Sequence, residues 1–356
     1  MIEDLRWLVR EYLSEPAELF ERDASSARIR AGAGLLRGGL DPEELAKRVK
    51  GSGARIVHAH NLHPTLGWRA LAAARAAGAR VIMHLHQYRL VCATGVCFTN
   101  GEQCTRCHGP NTLPGLVHNC RGSRSEAVTY ALALALYQRR VIEQVDAFIV
   151  PSVFARERLR GLGAPLPWER VHVLAPPLRS LASAPPQRTD GPDRYALVVS
   201  RLAAEKGIDV AIRACQIARI PLMVAGEGPE RAKLEASARG GDVRFLGHMR
   251  DGELRELRAG AAVALVPSRS PETFGLAAAE AMVAGVPVIA SRVGALPELV
   301  EKDGLVDPGD PEALALAIAR LDGDRASAQR GRTRISEICA PENLARRLAE
   351  IYDSVF

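Results

Sequence analysis

Two glutamates, Glu272 and Glu280, lie eight residues apart in a stretch whose pattern predicts a binding site. Apolar runs at 262–267 and 286–290 indicate buried strands, and a helix of small residues is predicted at about 275–284 between them. A helix N-terminus presents unpaired N–H groups and the positive end of the helix dipole, which favour an anion. We therefore expect both carboxylates to face a ligand at the strand ends. The alternative is ordinary packing with two glutamates in solvent.

A second pair of charged residues, Arg201 and Lys206, follows the apolar run at 195–200. This is the first strand-to-helix turn of a βα series, where phosphates are commonly held. Arg offers phosphate oxygens a planar fork of donors, and Lys offers a point charge. The pair therefore predicts a phosphate site, with a solvated surface pair as the alternative.

Two histidines, His60 and His86, lie at the ends of predicted strands at 54–60 and 80–86. An isolated histidine in such a place is commonly a structural residue whose ring nitrogens are hydrogen-bonded. The position alone therefore assigns neither of them a role.

Five of the seven cysteines lie between positions 92 and 120, while Cys215 and Cys339 are isolated. Four of them, Cys92, Cys104, Cys107 and Cys120, have the spacing C-x11-C-x2-C-x12-C, and Cys97 is the extra one. Four thiolates would complete a tetrahedral structural zinc site. Free thiols, a disulfide, or replacement of one cysteine ligand by His108 or His118 are the alternatives.

The elements that must position these residues alternate between strands and helices along the chain. This alternation predicts an α/β fold with parallel, doubly wound sheets, and 356 residues suffice for two domains. A proline-containing segment at 180–193, poor in apolar residues, is predicted to be the linker. We therefore expect two Rossmann-like domains that face each other across a cleft.

The net charge of +6 is concentrated in residues 51–171, which contain 14 Arg and 6 Asp or Glu. Such an excess attracts anionic lipid head groups, an anionic acceptor or nucleic acid. No nucleic-acid-binding module signature accompanies it, so nucleic acid is not expected as a partner. The sequence shows neither a signal peptide nor an apolar run of membrane-spanning length, and it predicts a cytoplasmic protein that can rest on the inner face of the membrane.

The string P-S-x-x-x-E-x-F-G-L-x-x-x-E-A-M-x-x-G-V-P-V-I-A-S, with S-R-L-x-x-E-K-G and the segments H-A-H-N-L-H-P and L-H-Q-Y-R-L-V-C, resembles retaining glycosyltransferase family 4 of the bacterial glycan-biosynthesis type. The resemblance implies the GT-B fold, with an N-terminal acceptor-side domain at 1–178 and a donor domain at 179–340. It also implies that the final helix, 341–356, crosses back to the first domain. The family's first strand and glycine loop have no counterpart in the sequence, so the first domain is expected to lack them.

The resemblance also implies roles for individual residues in binding a nucleotide sugar. Glu272 would hold sugar hydroxyls, and Glu280 would hold the ribose. Arg201, Lys206 and the backbone of Phe274, Gly275 and Leu276 would hold the diphosphate. His86 would line the sugar and acceptor site, with the same role considered for His60. Some members of the family also carry the four cysteines of the predicted zinc site.

Together these features predict a retaining, metal-independent hexosyltransferase that moves a sugar from a donor such as a UDP-sugar to a glycan, lipid-linked or small-molecule acceptor. Asp322-Gly323-Asp324 has the D-x-D form of a metal site in other sugar transferases, but it is predicted to be a turn. The first alternative is a protein that binds nucleotide sugars with weak or no catalysis. The second is a zinc-dependent interaction or nucleic-acid module.

Overall fold

The computed structural model describes residues 1–22, 28–183 and 194–356, and the chain divides into two compact units. The N-terminal unit comprises Met1–Thr99, Cys104–Pro177 and Glu342–Phe356; the C-terminal unit comprises Asn100–Gln103 and Leu178–Pro341. The predicted boundary lies next to this division. Of the predicted linker, residues 184–193 lie outside the described ranges.

The first half of the chain, up to Pro177, contains both helices and strands. In order, its elements are α1 (Ile2–Tyr12), α2 (Arg28–Arg37), α3 (Pro42–Ser52), β1 (Ile56–His60), α4 (Gly67–Ala76), β2 (Arg80–His84), β3 (Phe98–Thr99), β4 (Glu102–Gln103), α5 (Leu113–Val117), α6 (Arg124–Glu143), β5 (Ala147–Val150), α7 (Val153–Gly161) and β6 (Val171–Val173). Four of the strands form a parallel sheet in the order β1-β2-β5-β6. In the described part of the chain, β1 is therefore an edge strand.

Of the two interior strands of this sheet, β5 is entirely apolar, and β2 buries Val81, Ile82 and His84. All four residues of β5 are buried, as expected for a parallel strand covered on both faces. Ser123 and Ser152 begin α6 and α7, and each side chain accepts a hydrogen bond from a backbone N–H of the first helical turn. These caps fix the positions at which α6 and α7 begin.

The final helix, α15 (Pro341–Asp353), packs on the N-terminal unit through its apolar stripe of Leu344, Ala345, Leu348 and Ile351. Tyr352 places its hydroxyl 3.1 Å from Nδ1 of His58 on β1. Arg347 donates to the carbonyl oxygen of Val173 at 3.1 Å. The last helix thus belongs to the first unit, as the GT-B expectation required.

The second half continues the alternation. Its elements are β7 (Tyr195–Val199), α8 (Ile208–Ala218), β8 (Leu222–Ala225), α9 (Arg231–Ser237), β9 (Val243–Gly247), α10 (Asp251–Gly260), β10 (Ala261–Val266), α11 (Leu276–Val283), β11 (Val288–Ser291), α12 (Leu296–Leu299), β12 (Leu305–Val306), α13 (Pro311–Leu321) and α14 (Arg325–Ile338). The strands form one parallel sheet in the order β12-β11-β10-β7-β8-β9. From β7 the chain adds β8 and then β9 on one side of the sheet. From β10 it adds β11 and then β12 on the other side. The switch point of the sheet lies between β7 and β10.

The Asp322-Gly323-Asp324 segment is a turn between helices, as predicted. Asp324 caps α14 by accepting hydrogen bonds from the N–H groups of Ala326 and Ser327, at 2.9 and 3.2 Å. Asp322 forms an ion pair of 2.8 Å with Arg194. Both carboxylates therefore have structural partners. Separately, no helix in the described ranges has the length and apolar content that a membrane span requires.

Candidate functional site

A cluster of charged side chains lies at the carboxyl ends of β7 and β10, the two central strands of the C-terminal unit. Open parallel sheets bind their ligands at this edge, next to the strands where the order reverses. The turn after β7 carries Arg201 and Lys206, and the loop after β10 carries Ser268 and Glu272. The topology therefore brings together residues that are 66 positions apart in sequence, as Lys206 and Glu272 show.

Glu272 is held from two sides through a single carboxylate oxygen. Nζ of Lys206 donates to Oε1 at 2.6 Å, and Oγ of Ser268 donates to the same oxygen at 2.7 Å. The side chain of Glu272 is 17% exposed and that of Lys206 is 25% exposed. In the described structure Oε2 receives no protein hydrogen bond, and the ammonium group keeps N–H donors beyond the one directed at Glu272.

Arg201 lies in the same turn after β7 as Lys206, and its side chain is 57% exposed. Its guanidinium donates to the carboxylate of Glu205, which is 11% exposed and lies four residues further along. The carbonyl oxygen of Glu205 accepts hydrogen bonds from the N–H groups of Arg269 and Ser270, at 2.8 and 3.2 Å. These bonds connect the turn after β7 to the loop after β10, so they fix the cations relative to Glu272.

Close backbone contacts hold the Glu272 loop, and glycine is required at one of them. Gly294 has φ +63°, and a Cβ atom there would lie 2.3 Å from the backbone nitrogen of Glu272. Its neighbour Ala295 donates its N–H to the carbonyl oxygen of Glu272 at 2.9 Å. Gly275, with φ +102°, then begins α11, so the first N–H groups of that helix follow the loop directly. The backbone of Phe274, Gly275 and Leu276, which is predicted to bind the diphosphate, therefore lies at a helix N-terminus.

Glu280 has a different partner from Glu272. The guanidinium of Arg258, at the end of α10, donates to its carboxylate, and the two side chains are 11% and 38% exposed. No sequence motif indicated Arg258, because α10 and α11 are separated by a strand and a loop. Glu280 thus has its own cation, and its predicted contact with a ribose stays a prediction.

In the N-terminal unit, His60 and His86 lie together, and two further histidines that the sequence reasoning missed lie with them. The register of β1 and β2 places His60 opposite His84. Alternation along the strands puts His58 on the same face as His60, and His86 follows His84 by two residues. We call His58, His60, His84 and His86 the histidine face. The repeated H-x-H spacing, combined with strand alternation, was the signal that could have identified it.

The four imidazole rings of the histidine face are stacked. Ring centroids lie 4.2 Å apart for His84 and His86, 4.9 Å for His60 and His86, and 4.8 Å for His58 and His60. Nδ1 of His60 and Nε2 of His86 share a hydrogen bond of 2.6 Å. Burial lowers the pKa of His60 to about 4, and burial together with His60 lowers the pKa of His86 to about 3. At neutral pH these rings are therefore uncharged.

A pocket in the same unit adjoins the histidine face. Polar groups from Asn61, His84, His86, Tyr137 and Gln138 line it, together with apolar side chains of Leu62, Met83, Leu90 and Leu134. Such a mixture of apolar walls and a few polar groups suits a small polar ligand. The pocket places His86, the predicted sugar or acceptor residue, at a cavity wall.

Three members of the predicted zinc set lie close enough for Cys107 to interact electrostatically with Cys92 and with Cys104. Cys92 is hydrogen-bonded to Cys97, the cysteine left out of that set, and this bond lowers the pKa of Cys92 to about 5. Cys120 donates to Thr99 at 3.4 Å, and Cys104 accepts from Arg106 at 3.5 Å. Within the described residues, the potential metal ligands that lie within 4.8 Å of one another in a group of three or more are His60, His84 and His86. Zinc binding by Cys92, Cys104, Cys107 and Cys120 stays a prediction.

Two protein-family models together match almost the whole chain. The model "Glycosyl transferase 4-like domain" matches residues 4–177, and the model "Glycosyl transferases group 1" matches residues 182–336. The division between the matches lies at the division between the two units.

Several curated relatives share about a third of their aligned residues with the chain. A GDP-mannose-dependent alpha-(1-6)-phosphatidylinositol dimannoside mannosyltransferase of Mycobacterium tuberculosis is 34% identical over 199 residues, which cover 51% of this chain and 50% of the relative. The glycogen synthase of the same species is 36% identical over 172 residues, which cover 44% of this chain and 41% of the relative. The chain thus spans half or less of the length of these relatives.

Solved structures resemble the chain over most of its length. Anabaena Alr3699/HepE in complex with UDP has a TM-score of 0.59 at 18% sequence identity. The alignment covers 88% of this chain and 82% of the Anabaena chain. A glycosyltransferase from Rickettsia africae has a TM-score of 0.62 at 15% identity and covers 95% of this chain and 84% of its own. At these identities the likeness shows the fold.

Proposed function

The chain belongs to the group 1 glycosyltransferases of the family 4 type and has the GT-B fold of two Rossmann-like domains, and on that premise we propose that it is a retaining hexosyltransferase. Its donor is a nucleoside diphosphate sugar, with UDP and GDP as the bases to test, and its acceptor is a glycan, a lipid-linked glycan or a small molecule. The observation that carries the proposal is the pairing of Lys206 with Glu272 at the switch point of the second sheet.

The diphosphate of the donor is proposed to bind between Arg201, Lys206 and the first turn of α11. Two cations and a helix N-terminus supply positive potential on one side of the loop. Each cation already faces a carboxylate, so these four side chains together carry little net charge. The remaining N–H donors of both side chains then bind phosphate oxygens.

Glu272 is proposed to orient the sugar. With Oε1 held by Lys206 and Ser268, Oε2 accepts a hydrogen bond from a sugar hydroxyl. Discrimination among sugars follows from this contact, because a hydroxyl in the wrong configuration leaves the carboxylate oxygen without a donor. Glu280 and His86 keep their proposed contacts, with the ribose and with the sugar or acceptor respectively, on the basis of the family resemblance.

In the transfer step the bond between the anomeric carbon and the diphosphate oxygen breaks, and its electron pair leaves with the diphosphate. Arg201 and Lys206 stabilise that developing charge, while the anomeric carbon passes through an oxocarbenium-like state. The acceptor oxygen attacks on the face that the leaving group vacates, and its proton passes to the departing phosphate oxygen. Asp322 and Asp324 are engaged in an ion pair and a helix cap, which supports a reaction independent of a D-x-D metal.

The turnover of nucleotide sugars tests this assignment. Hydrolysis or transfer is measured with UDP- and GDP-sugars, with and without EDTA, for the wild type and for Glu272→Gln and Arg201→Ala. Either substitution is expected to reduce turnover by about 100-fold or more, since each removes a group that contacts the reacting donor. Unchanged turnover in both variants would reject the site. Donor binding without turnover in the wild type would favour the alternative of a binding protein.

We also propose that α6 contacts an anionic membrane surface, which suits a lipid-linked acceptor. Val128, Leu132 and Leu136 are spaced four residues apart and are 49%, 47% and 51% exposed. Exposed arginines, Arg124 and Arg139, flank this apolar stripe on the same helix. An amphipathic surface of this kind binds head groups through arginine and buries its apolar side chains among the acyl chains.

Sedimentation with vesicles tests the membrane contact. The wild type is expected to bind phosphatidylglycerol-containing vesicles more than phosphatidylcholine vesicles, and the double substitution Leu132→Ser with Leu136→Ser is expected to abolish the binding. Leu316→Ser is the matched control, because Leu316 is an exposed leucine of the other unit, with 75% exposure. Equal binding by all three proteins would reject the stripe as the contact surface.

A further inference from the structure

We propose that His60, His84 and His86 form a binding site for a first-row transition-metal ion. The proposal goes beyond the transferase function, which is proposed to need no metal. The ring nitrogens of the three residues lie within 4.8 Å of one another. Zinc binds imidazole nitrogen at about 2.0–2.1 Å in a tetrahedral arrangement, so its nitrogen ligands lie about 3.3 Å apart. Coordination of one ion would therefore require the three rings to turn towards a common point.

His84 supplies an independent reason for a ligand at this place. The residue is 3% exposed, and neither of its ring nitrogens has a hydrogen-bond partner in the described structure. A buried neutral imidazole has one N–H donor and one acceptor nitrogen, and leaving such groups unpaired is unfavourable because both have lost their hydrogen bonds to water. A metal ion bound to the acceptor nitrogen would remove part of that cost.

The protonation state of the site also suits a metal. Burial lowers the pKa of His84 well below its ordinary value, as it does for His60 and His86. Neutral imidazole is the form that binds a metal, so protons do not compete for these nitrogens at neutral pH. Folding has therefore already removed the protons that metal binding would otherwise displace.

The ligand set indicates which ions the site would accept. Three imidazoles with no carboxylate in the group favour Zn²⁺, Co²⁺, Ni²⁺ or Cu²⁺ over Mg²⁺ and Ca²⁺, which prefer oxygen. Three protein ligands leave one position of a tetrahedral ion for water or a polar ligand. A metal at this position engages His86, so it is expected to inhibit sugar transfer if His86 has its proposed role.

Cobalt titration of the chelator-treated full chain tests the site. Co²⁺ bound to imidazoles gives visible d–d bands, whereas Co²⁺ bound to cysteine adds sulfur-to-metal charge-transfer bands in the near ultraviolet. The wild type is expected to bind an ion with the imidazole spectrum, and an ion at the predicted cysteine site would be recognised by its charge-transfer bands. His84→Ala and His60→Gln are each expected to weaken this binding by about 100-fold or more.

Control variants and a folding measurement separate loss of the metal site from loss of the fold. His118→Ala and Cys104→Ser alter potential ligands in the cysteine-rich segment and are expected to leave the imidazole spectrum unchanged. Circular dichroism reports whether each variant folds, and His60→Gln, at the sheet edge, decides the test if His84→Ala does not fold. Absence of the imidazole bands in the wild type, or wild-type cobalt affinity in a folded His60→Gln protein, would overturn the proposal. UDP and GDP binding, measured separately, reports on the donor site.

Discussion

The two parallel sheets carry polar side chains at equivalent places, the carboxyl ends of neighbouring strands, but in opposite electrostatic states. At β7 and β10 the side chains are ionised and cancel in pairs, Lys206 with Glu272 and Arg201 with Glu205. At β1 and β2 the side chains are four histidines, and burial keeps them neutral. Side chains of opposite charge can stay ionised together when they are partly buried. Several buried imidazoles cannot all be protonated, because burial and the mutual repulsion of their positive charges both favour the neutral form.

This difference indicates what each strand edge can bind. A set of balanced ion pairs holds spare hydrogen-bond donors and accepts a charged ligand, here the diphosphate of a nucleotide sugar. A set of neutral imidazoles accepts hydroxyl groups or a metal ion. The comparison therefore predicts that substitutions in the two places affect different properties: donor turnover in the C-terminal unit, and the pH dependence of stability in the N-terminal unit.

The largest effect is expected for Lys206→Ala. The substitution removes a proposed diphosphate ligand and also leaves the carboxylate of Glu272 without its cation. Turnover is expected to fall by about 100- to 1,000-fold, the usual cost of losing one group that stabilises transition-state charge. Lys233→Ala is the control, because Lys233 is 83% exposed and lies on α9. Equal kcat/KM values for the two variants would contradict the assignment.

An effect of intermediate size is expected on the stability of the protein when acid protonates the histidine face. Folding lowers the pKa of His60 from 6.5 to about 4, so the unfolded chain binds more protons than the folded chain in that range. Stability is therefore lost as the pH falls below 6.5, and His60 alone accounts for about 2 kcal/mol at pH 5. Urea unfolding of His60→Gln at pH 7, 6 and 5 is expected to show a weaker pH dependence than the wild type. His118→Gln should behave as the wild type; if His60→Gln does so too, the neutral histidine face is wrong.

The smallest effect is expected for Asp324→Ala, which removes the cap of α14. Loss of the cap should lower the free energy of unfolding by about 1 kcal/mol. Turnover should not change, with or without added Mn²⁺, because Asp324 has a structural role. A Mn²⁺-dependent loss of turnover would show that the D-x-D segment belongs to the site after all.

Much of the fold could be predicted from local sequence patterns. The strands at 147–150 and 243–247 can be read from the sequence with the bounds that the structure shows, because each is a short apolar or alternating run with clear ends. Asp310 followed by Pro311 is a typical start of a helix, and the side chain of Asp310 accepts a hydrogen bond from the N–H of Ala313 at 2.8 Å. Signals of this kind lie within one element and need no knowledge of packing.

Features that depend on contacts between elements could not be read in the same way. The pairing of Glu280 with Arg258 joins two helices that no motif connects. His58 and His84 join His60 and His86 through the register of β1 and β2, which a motif within one strand does not contain. In the irregular segment at 92–120, spacing could not show that Cys92 meets Cys97.

The most direct test of the donor site is a calorimetric titration of UDP and GDP into the wild type and the Lys206→Ala variant. We predict that one of the two nucleotides binds the wild type with one-to-one stoichiometry and that its affinity falls by about 100-fold in the variant, as expected when a charged hydrogen-bond partner of phosphate is removed. If neither nucleotide binds the wild type, or if the variant binds with unchanged affinity, the diphosphate does not lie at the ends of β7 and β10.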